Sequence, residues 1–297
     1  MQYILFCILS NVGIFLCFRG FSQFNINTFQ AIVINYLVCV ITGIFFIGNL
    51  SFIDRVNFTE PWVLMSLFLG SLFICAFYVM ALTTQRLGIT AATIAAKMSL
   101  VIPVVVSVGV LMIQSREYIF INYLGIVMAL VAIVMASLKK RNREDNTPKG
   151  LSIILMPMAV FVLGGAIDTT INYTNHFYLP ESESAVFPLI IFGCAFFIGA
   201  TVLIIGKSKI EFKNIVGGTV LGVINYFSLY YIVKALTAFN NDGAIVYPVL
   251  NVGIILMSSL VSRIIYKERL SVLNKGGLVM AVLAIIFIFY QEILAYY

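Results

Sequence analysis

Charge is scarce in this chain. Aspartate, glutamate, lysine and arginine fill only 10% of its 297 positions, and a single histidine, His176, is present. A soluble domain of this length carries about 25% charged residues. With 62% hydrophobic residues and a mean hydropathy of +1.07, water is excluded as the main solvent. The lone histidine rules out an HExxH pair; there is also no Walker lysine loop, no GxGxxG between strand and helix, and no serine or cysteine with a plausible histidine base. Cys7, Cys17, Cys39, Cys75 and Cys194 sit in apolar segments without paired spacing, which suggests neither a disulfide framework nor a zinc site. No catalytic residue, metal or cofactor is therefore expected. With no ATP-binding segment, uphill work on a solute has to draw on an ion or exchange gradient; the coupling ion, a proton or another, is not specified.

What the chain does have is apolar runs. Runs of about 20 residues are needed to cross the hydrocarbon core as a helix, and ten candidates can be read: Tyr3–Phe18, Phe29–Ile47, Trp62–Thr83, Thr90–Met112, Ile119–Leu138, Leu151–Tyr173, Ala185–Ile205, Ile215–Leu236, Ala244–Ile265 and Val272–Tyr290. The first run lacks a basic start and reads as a helix rather than a cleavable signal. The longest charged interruption, Lys139–Gly150, falls between the fifth and sixth runs.

Two of these segments are nearly the same text. INYLGIVMALVAI at Ile121–Ile133 returns as LNKGGLVMAVLAI at Leu273–Ile285, 152 residues later, and the ALT of Ala81–Thr83 returns at Ala235–Thr237. At that second spacing Lys97 falls opposite Asn251; at the first, Asn122 falls on Asn274 and Gly125 on Gly277. An internal duplication follows. The expected fold is an all-α membrane protein of ten transmembrane helices in two inverted five-helix repeats, 1–138 and 151–297, joined by a cytoplasmic linker at 139–150.

Basic residues give the orientation, because short cytoplasmic loops carry the excess of lysine and arginine. One set of alternate loops holds Arg19; Arg86; Lys139, Lys140, Arg141, Arg143 and Lys149; Lys207, Lys209 and Lys213; and Arg263, Lys267, Arg269 and Lys275. The other set holds Arg55 and Arg116, a ratio of fourteen to two. Both termini are thus expected outside, and the net charge of +6 is a topology signal rather than a surface for nucleic acid. Repeats with an odd number of spans must then sit in opposite orientations.

With an AL pair late in the third and eighth runs, a proline in the fourth and ninth (Pro103, Pro248), acidic loops after them (Glu117, Glu268) and a glycine-led fifth and tenth run (Gly125, Gly277), the chain resembles the drug/metabolite transporter superfamily of EamA type. That resemblance covers nearly the whole length. It implies a central cavity enclosed by the first four helices of each half, with the fifth and tenth peripheral, and it slightly favours export. Lys97 departs from the pattern of that family.

Polar residues inside the runs are few enough to weigh singly. Lys97 lies about 12 Å into its run, counting ~1.5 Å per residue, near the middle of a ~30 Å core. A cation there costs about 2.5 to 3.5 kcal/mol on insertion scales, so it should face a cavity or an anionic partner; snorkelling to the cytoplasmic interface is the bland alternative. Asp168, in GGAIDTTINYTN with Asn172 on the same helix, is either a proton or cation site, a partner for Lys97, or a hydrated group near the outer interface. Asn251 and Tyr247 mirror Lys97 in depth, Asn225 and Tyr226 form a polar step in the eighth run, and Asn35 and Asn11 repeat the argument more weakly. An asparagine in lipid needs a partner, which a helix interface supplies as well as a ligand does. Lys234 reads as a snorkelling residue, His176 as solvated, and Trp62 as an interface anchor.

The expected function is secondary active transport, by alternating access, of a small polar metabolite such as an amino acid or related compound, in a multi-pass protein of the bacterial inner membrane. Its partners are then the small-molecule substrate, the lipid bilayer and a coupling ion, without nucleic acid; homodimer formation stays open. A polytopic membrane enzyme and a lipid-handling protein are the rival classes. A water-filled cavity lined by both halves favours transport, and a lateral opening with a catalytic dyad favours the others.

Overall fold

The computed structural model describes residues 2–48, 57, 59–103, 106, 119–137, 151–180, 183, 186–207, 209–238, 243–267 and 270–296. Regular structure among them is helical throughout, as expected where backbone groups find no water to bond with and must pair internally. The helices are α1 (Gln2–Gln23), α2 (Thr28–Ile47), α3 (Pro61–Leu87), α4 (Ile89–Met98), α5 (Phe120–Ser137), α6 (Ser152–Phe177), α7 (Phe187–Ile205), α8 (Phe212–Ala238), α9 (Gly243–Ile265), α10 (Val272–Ile288) and a short α11 (Tyr290–Tyr296). Six of them, α1, α2, α3, α6, α7 and α8, are long and apolar enough to cross a membrane, and α4, α5, α9 and α10 carry shorter apolar stretches. The chain is an integral, multi-pass helical membrane protein.

Local sequence sets the helix ends. Asn27 accepts from the Gln30 N–H at 3.1 Å to cap α2. Gly88, at φ 100°, ends α3 and starts α4 without a gap, a conformation that side chains other than hydrogen rarely adopt. Ser271 and Asn274 form a reciprocal capping box on α10. Compared with the apolar runs, α3 continues past Thr83 to Leu87 and α6 past Tyr173 to Phe177, because turns of mixed polarity extend a helix beyond the lipid without ending it. The linker 139–150, Glu117 and Glu268 lie outside the described residues.

Packing is between helices distant in sequence. α8 lies against α1 and α2, and α3 lies against α6 and α7; α1 meets α9 and α4 meets α6; α2 meets α7, α4 meets α9, and α5 meets α10. Small residues permit the closest contacts. A Cβ on Gly218 would come 2.6 Å from the Ala31 carbonyl, and one on Gly222 2.8 Å from the Asn35 carbonyl, so these two positions, four apart on α8, seat it directly on the α2 backbone. Trp62, read from sequence as an interface anchor, is instead only 3% exposed in a core shared by α1, α2, α3 and α7. The reason is packing: its ring joins an apolar cluster that also holds Val63 and, from the start of α7, Phe187.

The repeated segments pair with each other. Asn122 Oδ1 accepts from the Ile119 N–H at 2.9 Å, and its Nδ2 donates to the carbonyls of Phe287 (3.2 Å) and Ile288 (2.9 Å) at the far end of α10. Asn274 does the same in reverse, accepting from the Ser271 N–H at 3.1 Å and donating to the Met135 carbonyl at 3.3 Å. Met135 and Phe287 are themselves 152 residues apart. α5 and α10 are therefore antiparallel, each start bonded to the other's end.

One end of the bundle gathers the connections rich in lysine and arginine. Arg19 donates to the Gln85 carbonyl, Gln85 donates to Thr28 at 2.7 Å, Asn214 donates to Gln30 at 2.6 Å, Gln30 donates to the Lys209 carbonyl at 3.1 Å, and Tyr266 donates to the Leu16 carbonyl at 3.1 Å. These bonds bring the α1–α2, α3–α4, α7–α8 and α9–α10 connections to a common face.

Candidate functional site

α4 is the most enclosed helix, packed by α1, α3, α5, α6, α9 and α10. From Ile89 to Ala95 its residues are buried; Ala96 and Lys97 are then partly accessible, and Met98 and Ser99 are buried again. Lys97 is thus one of the few partly accessible positions on this helix. Its ammonium donates to Asn11 Oδ1 of α1 at 3.1 Å, and Asn11 is oriented by its own amide, which donates to the Cys7 carbonyl at 3.0 Å. An ammonium has three N–H donors, and one is used here.

The acidic counterpart comes from α6. Asp168 is partly accessible, and among the described residues it forms no ion pair with Lys97; Lys213 and Glu211, both exposed, form one at 2.8 Å. Ser99 Oγ lies 3.4 Å from Asp168 Oδ2 but 2.7 Å from the Ala96 carbonyl. A hydroxyl has one proton; the shorter contact takes it, and the carboxylate keeps acceptor capacity. Gly164 explains how α4 and α6 come this close, since a Cβ there would stand 2.9 Å from Ser99 Oγ. Thr93, one turn before Lys97, and Thr169, next to Asp168, have buried hydroxyls without a hydrogen-bond partner.

The remaining candidates divide. Asn251 is partly accessible on α9, which packs on α4, but makes no hydrogen bond to Lys97. Asn225 and Asn35 are buried, at 6% and 0% exposure, and bond to each other at 3.2 Å, with Cys39 donating to the Gly222 carbonyl beside them. They clamp α8 to α2. Tyr226 is half-buried, with its ring 5.5 Å from that of Phe46, in an aromatic group that includes Tyr230, over which Lys234 sits. The side chains of Tyr247, Asn172 and His176 lie outside the described set. Thus Lys97 and Asn11 are bonded, Asp168 reaches Ser99, two residues past Lys97 on the same chain segment, and Asn225 and Asn35 form a separate pair. Ser99 was not singled out from sequence; its signal is the Gly164–Gly165 pair, which marks the helix surface on which it rests.

No family model matches the chain. It is similar to an uncharacterized protein of Haemophilus influenzae (strain ATCC 51907 / DSM 11121 / KW20 / Rd), at 24% identity over 302 residues that cover 98% of this chain and 99% of that one. It is also similar in fold to a protein of known crystal structure, with a TM-score of 0.57 and 13% identity over 97% of both chains. That likeness concerns architecture alone.

Proposed function

We propose that the protein is a secondary active transporter of the bacterial cell membrane, with the ten-helix inverted-repeat architecture of the EamA-type drug/metabolite transporters, that carries a small polar metabolite of the class that includes amino acids and related compounds. The observation that carries this reading is a lysine and an aspartate, Lys97 and Asp168, at partly accessible positions on two helices that pack against each other inside the bundle. Each comes from a different half of the duplicated sequence. Charges inside a membrane domain are costly and mark substrate or ion pathways, and a site at the interface of two repeats is where alternating access operates.

The packing supports the repeat. If each helix of the first half is exchanged with the one five later, α1 on α8 becomes α6 on α3, α2 on α8 becomes α7 on α3, and α1 on α9 becomes α6 on α4, while α2 with α7, α4 with α9 and α5 with α10 map onto themselves. The antiparallel asparagine bonds of α5 and α10 obey the same exchange. A rocking motion of matched bundles about the central site then exposes Lys97 to one side at a time. The face that gathers the basic loops is cytoplasmic in this reading. A cysteine replacing Asn142 in the linker should accordingly react with an impermeant reagent from the inside only, and reaction from outside intact cells would overturn that orientation.

The function is tested in proteoliposomes, with a substrate found by screening metabolites for stabilisation of the purified protein. Lys97→Met is expected to fold in normal yield and to lose transport, and Lys97→Arg to keep part of it. Wild-type transport by Lys97→Met would sink the assignment.

A further inference from the structure

Lys234 and the aromatic rings around it take no part in the central site. α8 starts at the face that gathers the basic connections, and Lys234 lies about 33 Å along it from Phe212, counting ~1.5 Å per residue. That is near the far end of a ~30 Å hydrocarbon core. Tyr226, Tyr230 and Lys234 follow one another at intervals of four and so share one stripe of the helix. Phe227 and Tyr231 run beside them, with Phe46 of α2 against Tyr230 at 5.9 Å on one side and Phe6 of α1 stacked on Tyr231 at 5.2 Å on the other. The rings form a shelf across three helices, and its edges are open, since Phe46 is 50% and Phe6 45% exposed.

Two observations separate this shelf from an ordinary belt of tyrosine at a membrane interface. The first is the direction of the lysine. A snorkelling lysine reaches outward for water, whereas the Lys234 ammonium sits 5.8 Å from the centre of the Tyr230 ring, one turn back towards the middle of the bundle. Among the described residues, neither that ammonium nor the Tyr230 hydroxyl has an anionic or hydrogen-bonding partner. The second is the counterpart helix. At the spacing of 154 residues, Phe227 and Tyr231 fall opposite the aromatic Phe73 and Phe77 of α3, but Tyr226, Tyr230 and Lys234 fall opposite Leu72, Ala76 and Met80. Helix packing calls for the rings and not for the polar stripe. We propose that the stripe binds the phosphate of an anionic glycerophospholipid. The Lys234 ammonium and the Tyr230 hydroxyl donate to the phosphate oxygens, and the glycerol and upper acyl chain rest on the rings of Phe46 and Phe227. At headgroup depth the phosphodiester is the anion that a bilayer supplies. A headgroup with its own cation, such as choline, is disfavoured, because Lys234 already covers the face of Tyr230 that a quaternary ammonium would use and the two cations repel. The preference is for a headgroup of net negative charge.

The test places the full-length protein in vesicles of phosphatidylcholine or of phosphatidylglycerol. Each carries a trace of phosphatidylglycerol with a photoreactive group on its acyl chain near the glycerol, and cross-links are mapped by peptide mass spectrometry. The yield between Tyr226 and Lys234 should be about fivefold higher in phosphatidylcholine, which does not compete, than in phosphatidylglycerol. Lys234→Met, which supplies the residue found on α3, should bring the two yields together, and so should Lys234→Gln, a polar replacement that guards against a folding defect in the first. Tyr230→Phe should narrow the difference, and Lys234→Arg should keep it. Lys207→Met, at the opposite face where Lys207 is exposed, should leave the α8 yields unchanged, which separates this site from attraction of acidic lipid by the basic connections. Equal yields in the two lipids for the wild type, a difference that survives in both Lys234→Met and Lys234→Gln, or cross-links confined to the basic face would each overturn the proposal. None of these outcomes depends on which solute the protein carries.

Discussion

Asparagine appears in two places in this molecule to opposite effect. On α5 and α10, Asn122 and Asn274 are buried, fully bonded and reciprocal: each caps its own helix and fastens the other's last turn. At the centre, Asn11 is partly accessible and spends its carbonyl oxygen on an ammonium. The first pair is one residue type recurring at a spacing of 152, in the two segments of similar sequence. Lys97, by contrast, falls opposite a different residue, Asn251, at the spacing of 154. Symmetric polar bonds that satisfy every group hold helices together; asymmetric polar groups that leave capacity unused are suited to a ligand.

Substitutions separate these roles. The largest effect is expected from Lys97→Met, which should reduce transport by about a hundredfold or more, as loss of a charge contact worth about 3 kcal/mol would, with the melting temperature unchanged or raised because an expensive interior cation is gone. Radiotracer flux and a melting curve on the same preparation check this. Next comes Gly125→Leu, whose Cβ would stand 2.8 Å from the Ile288 backbone nitrogen; the antiparallel pair has to separate, at about 3 kcal/mol of overpacking. It should lower thermal stability sharply while ligand affinity in the folded fraction stays near normal.

Asn122→Ala and Asn274→Ala are each expected to cost about 1 to 2 kcal/mol, a cap plus an interhelical bond. Because the two sites lie at opposite ends of α5 and α10, the double variant should show the sum of the single effects; strong non-additivity in a denaturation series would mean that the pair acts as one latch. The smallest effect is expected from Asn225→Ala, which removes one 3.2 Å bond to Asn35 between neutral groups, about 0.6 kcal/mol on the scale of membrane helix pairs. Its transport rate should stay within about twofold of wild type. A complete loss of transport in Asn225→Ala would move that asparagine from the helix clamp to the binding site.

Much of this was legible in the sequence because membrane helices announce themselves by length and apolarity. Six of the ten runs fall on helices long and apolar enough to cross a membrane and the other four on shorter apolar helices, the end of Thr90–Met112 lying outside the described residues; the Ile121–Ile133 segment and its counterpart lie on the two helices that pair end to end. Lys97 was readable as a cation inside an apolar run. Its partner was not, since Asn11 is 86 positions away and no local spacing reports which asparagine a lysine reaches across a helix bundle. Asn35 and Asn225 illustrate the same limit from the other side: read singly, each is a polar group in lipid looking for a partner, and only the packing of α2 on α8 reveals that they find each other. α11 escaped the reading because it lies beyond the last apolar run, which ends at Tyr290 where this helix begins; α10 stops just before, at Ile288, and the backbone leaves helical geometry at Phe289.

The central claim is that Lys97 presents its charge to an internal, water-accessible site used by the substrate. Chemical rescue tests it most directly. Lys97→Cys should be inactive in transport, should react with a small water-soluble aminoethylating reagent that rebuilds a lysine-like side chain, and should regain activity on modification, with substrate protecting it from the reagent; the wild-type protein, with its five native thiols, serves as the control for unwanted modification. Wild-type transport by unmodified Lys97→Cys, or modification that proceeds fully without restoring any transport, would contradict the account.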